Sequence, residues 1–315
     1  MINNSPYILV LGVSIVDIIG FSKKNYSSKD SIPGNIKISL GGVCRNISEN
    51  LARVNVRTEF ISILGDDDQG RNIISNSKTI GYNMEHSLIL KNEVTPTYMA
   101  ILNEHGEMES AIVDMESLDK MDKSFIDSKA DIISNSEYTI LDSDNPEIME
   151  YLLTNFRNKT NFILDPVSAT KAGKIKHLVK YFHTIKPNRI ETEVLCGFEI
   201  NSTDDIRRAG EYFLSLGVKN VFISLDEDGI YFTNGTEEGK IACGKVEVKN
   251  VTGAGDSFVG GIGYGYMKRY SLRDTVKYAI AMSVITISHA ETINPNMSEE
   301  YVNEFMKKMN WIEEF

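Results

Sequence analysis

Short, nearly continuous apolar runs punctuate the chain: YILVLG from Tyr7, TEFISILG from Thr58, TILDSD from Thr139, NFILDP from Asn161, FHTIKPN from Phe182 and NVFISLD from Asn220. Runs of this kind predict strands buried on both faces. Between them the apolar positions shift to helical spacing, at Val43, Ile47, Leu51 and Val54, and again at Ile206, Ala209, Phe213 and Leu216, with Gly217 as a C-terminal stop. Alternating strands and helices predict an α/β fold with a mostly parallel sheet, and place ligands at the carboxyl ends of its strands. Several runs finish there in polar residues: Asp165, Asn188 and Asp226.

Two stretches break the alternation. Residues from about 14 to 40, including NIKIS, and from about 95 to 114, including TYMAILNEHGEMESAIVD, read as short antiparallel strands with a hairpin turn near Glu104 to Gly106. Both lie inside the α/β pattern, so they predict a small β-sheet lid over a site rather than a separate domain. Without a linker, repeat or low-complexity tract, residues 1–315 are expected to form one α/β domain carrying that lid.

Composition narrows the function classes. With 315 residues and 42% hydrophobic content, the chain can bury a sizeable core. A net charge of −11 argues against nucleic acid as a partner, because phosphate-backbone binding needs basic patches. No stretch reaches the apolar length of a membrane span, and MINNSPYILVLG lacks the basic region of a secretory signal, so a cytoplasmic protein with no membrane contact is expected. Cys44, Cys196 and Cys243 are odd in number and far apart, which suits buried thiols better than disulfides or zinc.

Three segments carry candidate chemistry. In LGGVCRNISENLARV, Gly41 and Gly42 open a helix and Asn46 stands one turn in, on a different face from Ile47. A hydroxylated ligand could bind there; a glycine-rich turn with a solvated asparagine fits the same residues. In TIKPNRIETEVLCG, Asn188 and Glu191 follow a strand, and Gly197 ends the next helix. They fit a helix capping box, and equally a polar pair holding the water shell of Mg²⁺.

The third segment is VTGAGDSFVGG, where glycines surround Asp256. After a predicted strand KVEVKNV, Gly253, Ala254 and Gly255 turn the chain into a helix beginning near Asp256. Unpaired amides and the positive end of the helix dipole would stabilise a phosphoryl group there. Asp256 could serve simply as an N-terminal helical acid, or take a hydroxyl proton while the amides absorb phosphoryl charge. GTEEGKI from Gly235 is too short for a Walker A loop, and the glycine spacing misses the dinucleotide fingerprint.

The order Asp17, Gly41-Gly42 with Asn46, Asn188-x-x-Glu191 and Gly253-Ala254-Gly255-Asp256 resembles the ribokinase-like, or PfkB, family of carbohydrate and nucleoside kinases over essentially the whole chain. TPTYMAILNEHGEMESAIVDME, KPNRIETEVLCG and TINPNMS look most like the bacterial pseudouridine kinases within it. The resemblance implies a three-layer α/β/α fold with a β lid. It also implies that Asp17, Gly41, Gly42 and Asn46 hold ribose hydroxyls, and that Asn188 and Glu191 arrange Mg²⁺ and phosphate indirectly. Asp256 would be the base and 253–255 the anion hole. ATP would be bordered by Ser224 to Gly229 and by residues near Ala290 to Asn294.

Two positions depart from the family pattern. Many members take a monovalent cation such as K⁺ beside the anion-hole loop and carry Asp where this chain has Asn250; the family's Thr-Leu-Gly becomes Ser224-Leu225-Asp226. The expected activity is ATP-dependent phosphorylation of a nucleoside 5′-hydroxyl, pseudouridine first. A ribose- or fructose-type sugar kinase, an adenosine-type nucleoside kinase and a non-catalytic nucleoside sensor are the alternatives. Unpaired lid edges predict a homodimer through the lid.

Overall fold

A computed structural model describes residues 5–314; residues 1–4 and 315 of the expected domain lie outside them. Nine strands form the body sheet, in the order Trp311–Glu314, Glu238–Cys243, Ile230–Thr233, Asn220–Ser224, Thr184–Ile185, Asn161–Leu164, Tyr138–Leu141, Ile8–Leu11 and Thr58–Ile61. From Asn220–Ser224 to Thr58–Ile61 every neighbour is parallel, and the remaining edge is antiparallel.

The strand Ile8–Leu11 shows why the apolar runs are continuous. Ile8 and Val10 pack into one core with Ile47, Leu51, Val259 and Ile262, while Leu9 and Leu11 pack into another with Leu152, Leu153 and Phe213. Period-two side chains therefore feed two helix layers, and neither face can be polar. The result is a three-layer α/β/α body.

A second sheet of four strands stands beside it: Gly34–Gly41, Ile15–Ser22, Thr97–Leu102 and Met108–Asp114, in that order. This is the expected lid, although Ile15–Ser22 and Thr97–Leu102 pair in parallel. The hairpin closes through the Asn103 amide on the Glu107 carbonyl, with Gly106 at φ 81°.

Three sequence expectations need correction. Lys245–Val251 is not a strand; the amides of Lys249 and Asn250 both bond to the carbonyl of Ile287, so the segment follows a helix end instead of a sheet edge. TEFISILG breaks at Ser62, whose hydroxyl accepts from the Ser14 amide and whose amide donates to Ser87; Ile63–Gly65 then pairs with Leu88–Leu90 in a separate two-stranded sheet. FHTIKPN keeps strand geometry only over Thr184–Ile185.

Of the glycines around Asp256, Gly253 makes the turn and Gly255 lies in the first turn of the helix that follows. Gly260 lies against Asn50 and Leu51, and a Cβ on Gly261 would overlap Ala279, so these two let the helix Ala254–Met267 pack closely on Val43–Arg53 and Leu272–Ile287.

Candidate active site

The carboxyl ends of the parallel strands converge on Gly253–Asp256. Gly253 adopts φ 84°, and a side chain there would collide with the Thr292 carbonyl. The following helix starts at Ala254, two residues before the expected position. Hydroxyls of Ser257 and Ser283 donate to the Ala254 carbonyl and pin the turn. Among the described residues the amides of Gly255 and Asp256 meet no protein acceptor, leaving two aligned donors at the helix's positive end.

Asp256 is half-buried, and its carboxyl is pushed up to about 7. Burial is the main cause and the charge of Asp165 adds to it; a hydrogen bond from Asn46 and the charge of Lys186 pull the other way. The Asn46 amide donates to Asp256 Oδ2 over 2.8 Å. A carboxylate held near neutrality can accept a proton at working pH and release it afterwards.

Asn46 reaches Asp256 because Gly42, at φ 101°, tucks the first turn of Val43–Arg53 under the Val13 carbonyl, where a Cβ would not fit. Gly41 must also be bare, since its missing Cβ makes room for the carboxylate of Asp17 on the lid. Burial raises Asp17 above the usual carboxylate range, opposed by the nearby charge of Arg45, and its oxygens take no hydrogen bond among the described residues. Asp17 beside Gly41 on the lid, and Asn46 bonded to Asp256 on the body, thus lie on either side of the Gly41-Gly42 turn.

Asn188 and Glu191 form a reciprocal capping box: Asn188 Oδ1 accepts from the Glu191 amide and Glu191 Oε2 from the Asn188 amide, at 2.9 and 2.8 Å. The second carboxylate oxygen of Glu191 takes no part in the box; the side chain is buried, and that burial raises its carboxyl. A carboxylate oxygen outside the capping box, with Asp165 as a charged neighbour, suits a hard cation bound through its waters. Among the described residues no three His, Cys, Asp or Glu side chains converge as a metal cage.

Two strand-end residues complete the site without having been singled out for it. Lys186 follows Thr184–Ile185 and is buried, with Nζ 3.4 Å from Asp165 Oδ2 and 3.0 Å from where a Cβ on Gly255 would stand. It brings a cation to the candidate anion hole. Burial works against its charge, but Asp165, Glu191 and Asp256 outweigh that and hold it protonated. Asp142, at the end of Tyr138–Leu141, is pushed up to about 7 by burial and then by Asp144; it accepts from the Val13 amide. Their strand-end placement was readable, but a lysine is normally exposed and nothing local to KPN marks this one as buried.

On the other side of the turn, Ser224 bridges to Asn188 and its amide donates to the Pro187 carbonyl. Gly229, at φ 88°, leaves no space for a side chain beside Ile241 and Ala242. Asp226 to Asp228 are exposed to water, which screens the acid that replaces glycine. Asn294 is buried and its side chain is engaged: its amide donates to the Ile285 carbonyl and accepts from the Asn296 amide. Asn250 donates to the Ala290 carbonyl and accepts from the Thr252 amide, tying the phosphate turn to the segment after Leu272–Ile287. Within that segment Glu291 pairs with Lys37 of the lid at 2.7 Å.

The arrangement has known counterparts. Residues 5–299 match the model of the pfkB family carbohydrate kinases. The pseudouridine kinase of Escherichia coli K12 is 31% identical over 93% of this chain and 94% of its own length. A crystal structure from Clostridium perfringens, provisionally described as a sugar kinase, is 60% identical, covers 98% of both chains and superposes with a TM-score of 0.95. An Arabidopsis thaliana ribokinase, solved with ribose and ATP, shares the fold at 20% identity and TM-score 0.87, covering 96% of this chain and 99% of that one. The chain is a kinase that transfers phosphate to a hydroxyl group, and it belongs to the pfkB family of carbohydrate kinases, with the ribokinase-like fold.

Proposed function

We propose that this kinase transfers the γ-phosphoryl group of ATP to the 5′-hydroxyl of a nucleoside, pseudouridine being the preferred acceptor. The observation that carries the site assignment is the Asn46–Asp256 hydrogen bond directly below a turn with two unpartnered amides. Asp17, Gly41, Gly42 and Asn46 hold the ribose hydroxyls, and the acceptor oxygen faces Asp256. As that oxygen bonds to the γ-phosphorus, its proton passes to Asp256 and the bond to the leaving ADP breaks. The amides of Gly255 and Asp256, with the Lys186 ammonium, take the charge that builds on the transferring phosphoryl. Mg²⁺, when bound with ATP, neutralises phosphate charge; Asn188 and Glu191 hold its water shell. Ser224 and Gly229 border the nucleotide.

The pseudouridine preference rests on likeness to the E. coli enzyme and on the lid. Tyr98 and Val113 lie in the same cross-strand row as Asp17, so they share its face and can meet the base. Met99 and Asp114 lie in rows of the opposite face. That outer face exposes Ile36, Ile38, Met99, Ile101 and Ile112, which supports a homodimer through the lid. Body and lid act as one catalytic unit. No helix among the described residues is long and apolar enough to cross a membrane, and we place the activity in the cytoplasm.

The test is ADP release from Mg-ATP with pseudouridine, uridine, adenosine, ribose or fructose, with and without K⁺. Preference for pseudouridine is expected. Preference for ribose or fructose would move the assignment to a sugar kinase. Nucleoside binding without ADP release would support a sensor.

A further inference from the structure

We propose that Arg45 is a positioning residue for the proton transfer, fixing the side-chain amide of Asn46 in the single orientation that donates to Asp256. Its guanidinium is buried, with Nη1 3.1 Å from the Leu40 carbonyl and 3.2 Å from Asn46 Oδ1. Nη2 donates to Glu49 and, over 3.0 Å, to Asn76 Oδ1. Arginine can only donate and an ionised carboxylate can only accept. An amide between them has one orientation that serves both, with oxygen toward Arg45 and nitrogen toward Asp256.

Without Arg45 the buried Asn46 oxygen loses its donor. A rotated amide would then turn that oxygen toward Asp256, where it can bond only to the protonated acid. Arg45 therefore favours the ionised, proton-accepting form of Asp256 without touching it.

Its location supports a role beyond helix stability. Arg45 sits in the first turn of Val43–Arg53, at the positive end of the helix dipole, and that turn holds no acidic residue. A cation is disfavoured there, and burying it adds a desolvation cost. The same charge reaches Asp17 on the lid. Asp142, Asp165 and Lys186 are the charged groups acting on Asp256, and a substitution at position 45 replaces none of them.

The inference rests on the phosphotransfer reading, and a double-mutant cycle on pH dependence tests it. In Arg45→Met the acid limb of kcat/KM is expected about one pH unit above wild type, a tenfold change in proton affinity. In Asn46→Ala the limb rises too, and adding Arg45→Met moves it no further. An unchanged limb in Arg45→Met, or the same added shift in the Asn46→Ala background, overturns the proposal. If Arg45→Met does not fold, Arg45→Lys, which keeps one donor, should give a smaller rise, and no rise overturns it. Titration of the Asp256 carboxyl by ¹³C NMR gives the same comparison without turnover. A wild-type protein with no kinase activity would thus defeat the phosphotransfer reading while leaving this inference to the titration.

Discussion

Lys186 stands with its Nζ 3.0 Å from the space a Cβ on Gly255 would fill, so a buried ammonium and a bare stretch of backbone occupy the same corner of the site. Lys186→Met removes the cation opposite Asp165 and beside Asp256. Breaking one side of a buried pair costs about 3–5 kcal/mol. We expect a lowered melting temperature and a kcat at least tenfold down, with the acid limb of the pH profile moved upward. Calorimetry and initial rates check both.

Asp256→Asn should lower kcat by roughly 10²–10⁴, the usual worth of a positioned base, with acceptor binding retained. In the wild type kcat/KM should fall tenfold per unit as pH drops below about 7, where Asp256 becomes protonated. Stability runs the other way. A carboxyl raised on folding binds its proton more readily in the folded state, so this group's contribution is greatest below its unfolded value and is lost as pH rises through about 7. Asp256→Asn should therefore melt higher than wild type at pH 8 while being nearly inactive.

Asn250 makes a bond that an aspartate cannot, because its amide donates to the Ala290 carbonyl. This hydrogen bond does a tethering job for the turn, so activity should change little between sodium and potassium buffers. Asn250→Asp leaves the carbonyl without its donor and puts a carboxylate there; potassium should then stimulate turnover several-fold. Equal rates in both buffers for that variant would refute the argument.

The outer lid face exposes Ile38 and Ile112 in one cross-strand row with Ile18 and Met99. The wild type should sediment as the proposed dimer at micromolar concentration and Ile38→Glu with Ile112→Glu as a monomer, read by analytical ultracentrifugation; a monomeric wild type would refute the lid dimer. The body should keep its melting behaviour, because neither side chain belongs to its core.

The sequence revealed what depends on local rules. The Asn188–Glu191 box is a three-residue relation, Gly217 and Gly197 stop their helices by adopting positive φ, and both lid segments declare themselves by interrupting a regular alternation. It also brought Asp17, Asn46 and Asp256 to the same site through the order of motifs. Lys186 was hidden because the carboxylates that hold its charge, Asp165, Glu191 and Asp256, arrive from separate elements. Lys245–Val251 was misread because its alternating valines satisfy a strand pattern, yet its amides bond to a helix end that the local pattern does not reveal. The bonding of Asn294 was equally out of reach, because the Ile285 carbonyl that its amide meets lies in the preceding helix, Leu272–Ile287.

Three consecutive residues, Ala290, Glu291 and Thr292, receive the Asn250 amide, the Lys37 ammonium and the close approach of Gly253. One short strap is thus a common joint for the lid and the phosphate turn. A lid displacement that pulls on Glu291 also pulls on the carbonyls either side of it, and a displaced turn pushes back along the same path. Any free energy passing through that joint must appear equally in both binding equilibria, so the acceptor would sharpen ATP binding by the same factor that ATP sharpens the acceptor's.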